Sequence, residues 1–121
     1  AGAWLYEVDL QGSDLQCCNL SEADLFEANL SAATLTEANL TDANLRRVNL
    51  SQAKLTNACL EGADLAEADL CGADLFGASL EDADLRNAKF SNDTRLPDGT
   101  QWQSTLDLNT FAQVALTENQ T

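Results

Sequence analysis

The stretch Ala53–Ala88 reads AKLTNACLEGADLAEADLCGADLFGASLEDADLRNA, and its spacing decides the fold. Leu falls on every fifth residue, at Leu55, Leu60, Leu65, Leu70, Leu75, Leu80 and Leu85, with a small residue two places before each. A strand repeats every second residue and a helix every 3.6, so this period belongs to neither. Followed outward it runs from Leu5 to Leu85 without a miss, and Phe90 closes it. A fixed period held over so much of a chain points to a repeat architecture.

With the Leu as position i, position i−2 is mostly Ala, with Val8, Ser13, Cys18 and Val48 as variants. Position i−1 is mostly Asp or Asn, as at Asp14, Asn19, Asp24, Asn29, Asn44, Asp64 and Asp84. Positions i+1 and i+2 vary freely and are mainly polar. Two of every five side chains therefore point inward, one large and one small, and three point out. Glycine marks the corner. Gly2, Gly12, Gly62, Gly72 and Gly77 all fall at i+2, joined there by Asn57, Asn87 and Asn92. These residue types tolerate the positive φ that the third position of a type II turn requires, so type II turns are expected at those corners.

The A(D/N)LXX pattern resembles the pentapeptide-repeat family over residues 1–92. That resemblance implies an all-β fold, a right-handed quadrilateral parallel β-helix with four pentapeptides per coil, here about 4.5 coils. The geometry agrees: a side and a corner made four times close a square of 20 residues, stacked at the usual strand spacing of about 4.8 Å. Leu and Ala alternate because neither size alone fills the section. From Asp93 the period stops. The segment 93–121 opens with the turn signal Pro97-Asp98-Gly99, which is similar to the LPDG-like tail of cyanobacterial members. A capping helix is expected near 108–117, and it and Trp102 would cover the last ring of core side chains. At the other end no cap is visible, and Trp4, Leu5 and Leu10 are expected to be exposed unless a further segment or a second chain covers them. A monomer, or a dimer through such an exposed coil end, is expected.

Composition narrows the function. The net charge is −14, with 20 acidic against 6 basic residues and no His. Such a surface repels nucleic acid and anionic membrane and attracts basic partners. No apolar run approaches the roughly 18 residues that span a bilayer. Beginning at Ala1 already in register, the chain reads as a processed or trimmed product. The four cysteines (Cys17, Cys18, Cys59, Cys71) lack metal-like spacing and fall on different columns. Free thiols favour a cytoplasmic setting, with thylakoid lumen or periplasm as the other possibilities. Without His the usual base beside a nucleophile is missing, and the carboxylates recur on a convex surface with no pocket to shift them. No phosphate loop or dinucleotide motif appears, so neither catalysis nor a cofactor or metal is expected.

Folded at 20 residues per coil, the outward residues sort into four faces. The face of Leu20, Leu40, Leu60 and Leu80 carries Glu22, Asp42, Glu61, Glu81 and Asp82 with no positive charge, and is the candidate interaction face. The face of Leu5 stacks Tyr6, Phe26 and Arg46, a candidate aromatic and cation–π ladder. Its neighbouring column sets Arg47 between Glu27 and Glu67, relieving like charge. Two functions follow. One is a non-catalytic structural or protein-interaction module with an unknown protein partner. The other comes from the resemblance: some family members mimic duplex DNA and occupy the DNA site of type II topoisomerases. Net −11 over an array of about 22 Å approaches the charge spacing of DNA.

Overall fold

A computed structural model of the protein describes residues 2–104. Isolated parallel bridges tie each residue before a Leu to its counterpart 20 positions on: Trp4 to Asp24, Asp24 to Asn44, Asn44 to Asp64 and Asp64 to Asp84. Three parallel series start at Asp9, Asp14 and Asn19. The coil therefore closes every 20 residues and has four sides, as the period requires. Each side holds one bridge, too short to count as a strand.

Four backbone hydrogen bonds repeat along the array. The Leu N–H donates to the next coil (Leu25 N to Asn44 O, 2.8 Å), and the residue before it donates back (Asp24 N to Ala3 O, 2.8 Å). The corner amide also donates onward (Glu27 N to Arg46 O, 3.0 Å), and a turn bond closes the corner (Ala28 N to Leu25 O, 2.9 Å). Inside, Leu25 to Leu75 and Leu85 are fully buried, with the Ala residues beside them. Each such Leu is worth about 2 kcal/mol of apolar burial. Cys18 packs against this core from an Ala slot as a small hydrophobe.

Left-handed corners go beyond the expected glycine and asparagine positions, although Asn92, where the period ends, does not adopt one. Every i+2 residue from Gly2 to Asn87 has positive φ, including Glu22, Ala32, Arg47 and Gln52 at 56–61°. An L-residue loses about 1 kcal/mol or more in that region. Closing the coil and bonding the corner amide to its neighbour outweigh that local cost.

Past the last Leu the coil goes one side further than the period does. Asp74 bridges Arg95, 21 residues on, so one extra residue is absorbed at the corner near Asn92. Thr94 then fills the Ala slot and Leu96 the Leu slot, both buried. The insertion displaces the backbone acceptor of the Gly72 amide, and hydroxyls replace it: Ser91 Oγ at 2.9 Å and Thr94 Oγ1 at 3.2 Å. Thr94 Oγ1 in turn donates to Leu70 O at 2.7 Å. The chain then reverses through the expected Pro97-Asp98-Gly99 turn, and Gln101 pairs antiparallel with Arg95. Trp102 stacks on Phe90 at 5.7 Å, covering the ring that closes the array. The expected helix at 108–117 lies outside the described residues.

Candidate interaction faces

What fixes the outward side chains is a clamp. The amide at i+1 has no partner in either neighbouring coil, and the Asp or Asn at i−1 supplies one. Asp24 Oδ1 accepts from Phe26 N at 3.1 Å and Asn44 Oδ1 from Arg46 N at 3.2 Å. The same bond recurs at Asp9, Asp14, Asn29, Asp64 and Asp84, among others. This is the local Asx geometry that makes these residues turn-formers. Where Ser or Thr follows an Asn clamp, its hydroxyl donates to the same oxygen, as from Ser31 to Asn29 at 2.7 Å. Sequence reading found the Asp/Asn column but not this reason, which needs the knowledge that one amide per repeat is left over.

Glu22, Asp42 and Asp82 share one corner column with Gly2 and Gly62, and Glu61 and Glu81 share the column beside it. Glu22, Asp42, Glu61, Glu81 and Asp82 are all exposed. Among the described residues, no ion pair involves any of the five. Asp42 leans over Gly62, where an added Cβ would lie 2.2 Å from its Oδ1. Glu61 accepts from Ser79 Oγ at 3.0 Å.

The Leu5 face is different. The register sets Tyr6, Phe26 and Arg46 one coil apart in a single column, yet the expected cation–π ladder is not the contact the structure makes. Among the described residues the guanidinium-over-ring contact is Arg95 on Phe76, 4.4 Å from the ring centre. That pair escaped sequence analysis because Arg95 enters its column one residue out of register. Arg47 does bridge its neighbours, 3.3 Å from Glu27 and 2.8 Å from Glu67. The hydrogen bond from Arg47 holds the Glu67 carboxyl below its usual range. Arg86 grips Asp84 at 2.6 Å and lowers its pKa in the same way. Arg46, Asp64, Ala66, Glu67, Asp84, Arg86 and Asn87 line a shallow hollow of about 250 Å³, where Ala66 leaves room between longer neighbours.

All four cysteines are free. Cys17 donates to Glu37 at 3.4 Å, and that hydrogen bond pushes its thiol pKa up, away from a reactive thiolate. Among the described residues no group of Cys, Asp or Glu is arranged to hold a metal ion.

Comparison with known proteins agrees with this geometry. The pentapeptide-repeats family matches residues 3–42, 23–62 and 60–92 with eight copies. No curated protein matches the chain significantly. Among solved structures, a pentapeptide repeat protein from Nostoc Pcc 7120 is 33% identical with a TM-score of 0.72, covering 94% of this chain and 84% of that one. Another, from the cyanobacterium Cyanothece 51142, is 37% identical over 74% of this chain and 64% of that one, with a TM-score of 0.45. QnrB1, a plasmid-mediated fluoroquinolone resistance protein, is 22% identical over 97% of this chain and 61% of that one, with a TM-score of 0.47. The likeness to the Nostoc protein carries the right-handed quadrilateral β-helix with it. With its fivefold period, its 20-residue coil and that match, the chain belongs to the pentapeptide-repeat family.

Proposed function

We propose that the protein is a non-catalytic interaction module, a rigid solenoid that offers its Leu20 face to a basic protein partner. The observation that carries this reading is the segregation of charge by face. Glu22, Asp42, Glu61, Glu81 and Asp82 share one side with no basic residue, whereas Arg46, Arg47 and Arg86 gather on the next. Carboxylates fixed to a stiff lattice at about 5 Å steps lose little freedom on binding and steer a cationic surface from a distance. The test is capture of partners from the source cells with the intact protein and with Glu22→Lys, Asp42→Lys and Glu81→Lys combined. A partner lost in the triple variant supports the reading, and one held equally well by both removes it.

The second reading, a DNA mimic at a type II topoisomerase, rests on charge density. Residues 1–92 hold 16 acidic and 5 basic residues, net −11, or roughly one charge per 2 Å of array. Grouping on one side, rather than along two ridges, makes it the weaker of the two. Salt-sensitive inhibition of gyrase supercoiling at micromolar protein supports it, and no inhibition removes it.

A further inference from the structure

We propose that Trp4 and Tyr6, with Phe26 one coil above, form an aromatic anchor for an arginine- or lysine-bearing segment of a protein partner; this deepens the reading of the protein as a module for a basic partner and rests on it. Trp4 is 84% exposed and Tyr6 58%, against 41% for Phe76, which already lies under its own Arg95. Their position matters more than their exposure. Trp4 and Tyr6 flank Leu5 at i−1 and i+1, where Asp24 and Phe26 flank Leu25, so both belong to the outward set. Another coil stacked beneath would cover Leu5 and Leu10, but would leave these outward rings facing solvent. Their backbone positions lie about 7 Å apart along the chain, with the backbone of Phe26 about 5 Å above that of Tyr6.

The surroundings of the rings are anionic. Glu7 follows Tyr6, Asp24 and Glu27 bracket Phe26, and Glu22 lies just round the corner. Of these, Glu27 is paired with Arg47, and the others enter no ion pair among the described residues. Arg46 stands two coils above Tyr6, about 10 Å away, without stacking on Phe26. Aromatic faces set among carboxylates are the chemistry that recognises a guanidinium or ammonium group, and Trp is the best ring for it. Flat acidic surface gives steering, while binding energy concentrates on buried aromatic anchors. A second copy fits poorly, because two such ends would oppose Glu7, Asp9 and Asp14 against their own counterparts.

The experiment is titration of hexa-arginine peptide into the full chain carrying Trp102→Phe, read by Trp4 fluorescence and by calorimetry at physiological salt, with hexaglutamate as control. Binding that quenches Trp4, weakens about tenfold or more in Trp4→Ala and Tyr6→Ala, and stays within about twofold in Tyr6→Phe supports the anchor. Binding unchanged in Trp4→Ala but lost in the Glu22, Asp42, Glu81 reversal overturns the anchor and leaves the acidic face standing. The opposite pattern keeps the anchor and removes the face. No binding of hexa-arginine overturns both, and a dimer that Trp4→Ala disperses overturns the anchor in favour of self-association.

Discussion

The first coil and the last are built from the same five-residue unit and end differently. In the first described coil, Leu5, Leu10 and Leu15 are half-buried, and the amides of Trp4, Asp9 and Asp14 make no backbone hydrogen bond among the described residues. At the far end, one inserted residue, two hydroxyls, an antiparallel pairing and the Phe90–Trp102 stack finish one side of the tube. A repeat can propagate itself but cannot terminate itself, because each unit is satisfied only by the next. Termination needs residues outside the period, and Thr94 is the clearest of them: the buried polar side chain among the described residues.

Breaking the shared unit has the largest effect. Leu55→Lys, at 0% exposure mid-array, is expected to cost about 5 kcal/mol or more and abolish cooperative urea unfolding, whereas Leu10→Lys in the half-open coil leaves a folded protein. Next comes the terminus. Thr94→Val removes the acceptor of the Ser91 amide and the hydroxyl bond to the Leu70 carbonyl while Gly72 N keeps Ser91 Oγ, and is expected to cost about 1 kcal/mol, with faster hydrogen exchange at Ser91 before mid-array amides. The two tryptophans then separate the ends directly: Trp102→Ala is expected to lower stability by about 1–2 kcal/mol, and Trp4→Ala by less than about 0.5, both read by denaturant midpoints.

Smaller effects sharpen the picture of the corners. Gly77→Ala forces an L-residue into φ 75° with its Cβ 2.1 Å from Asn57 Oδ1, and about 1 kcal/mol of destabilisation is expected in thermal melts. Ala32→Gly at φ 59° is expected to be neutral or stabilising by a few tenths of a kcal/mol, the reverse of the usual sign. The smallest effect is acid sensitivity. Arg86 depresses the Asp84 pKa, so its contribution is complete above the ordinary aspartate range near pH 4 and is lost as pH falls through the lowered value. Asp84→Asn is expected to flatten that part of the stability profile slightly, measured by urea midpoints against pH.

Much of this was legible in the sequence, because the core is written in one repeated word. The period, the buried Leu and Ala, the corner position, the face assignments and the Arg47 bridge all follow from counting. What was not legible lies where counting fails. The Asx clamps depend on knowing which amide the coil leaves unpaired. Left-handed Glu, Arg and Gln at the corners contradict local propensity and are imposed by closure. The Arg95–Phe76 stack appears only once a single residue is allowed to slip the register.

That slip shows how the surface can be rewritten without touching the bore. Excising 20 residues shortens the rod and returns every later side chain to its own column. Removing five keeps all the leucine contacts but turns everything beyond the cut by a quarter revolution, so Glu81 and Asp82 would swing onto the side that Phe76 now occupies. Length and surface chemistry are thus separately adjustable in this molecule, one in steps of a full revolution and the other in quarters.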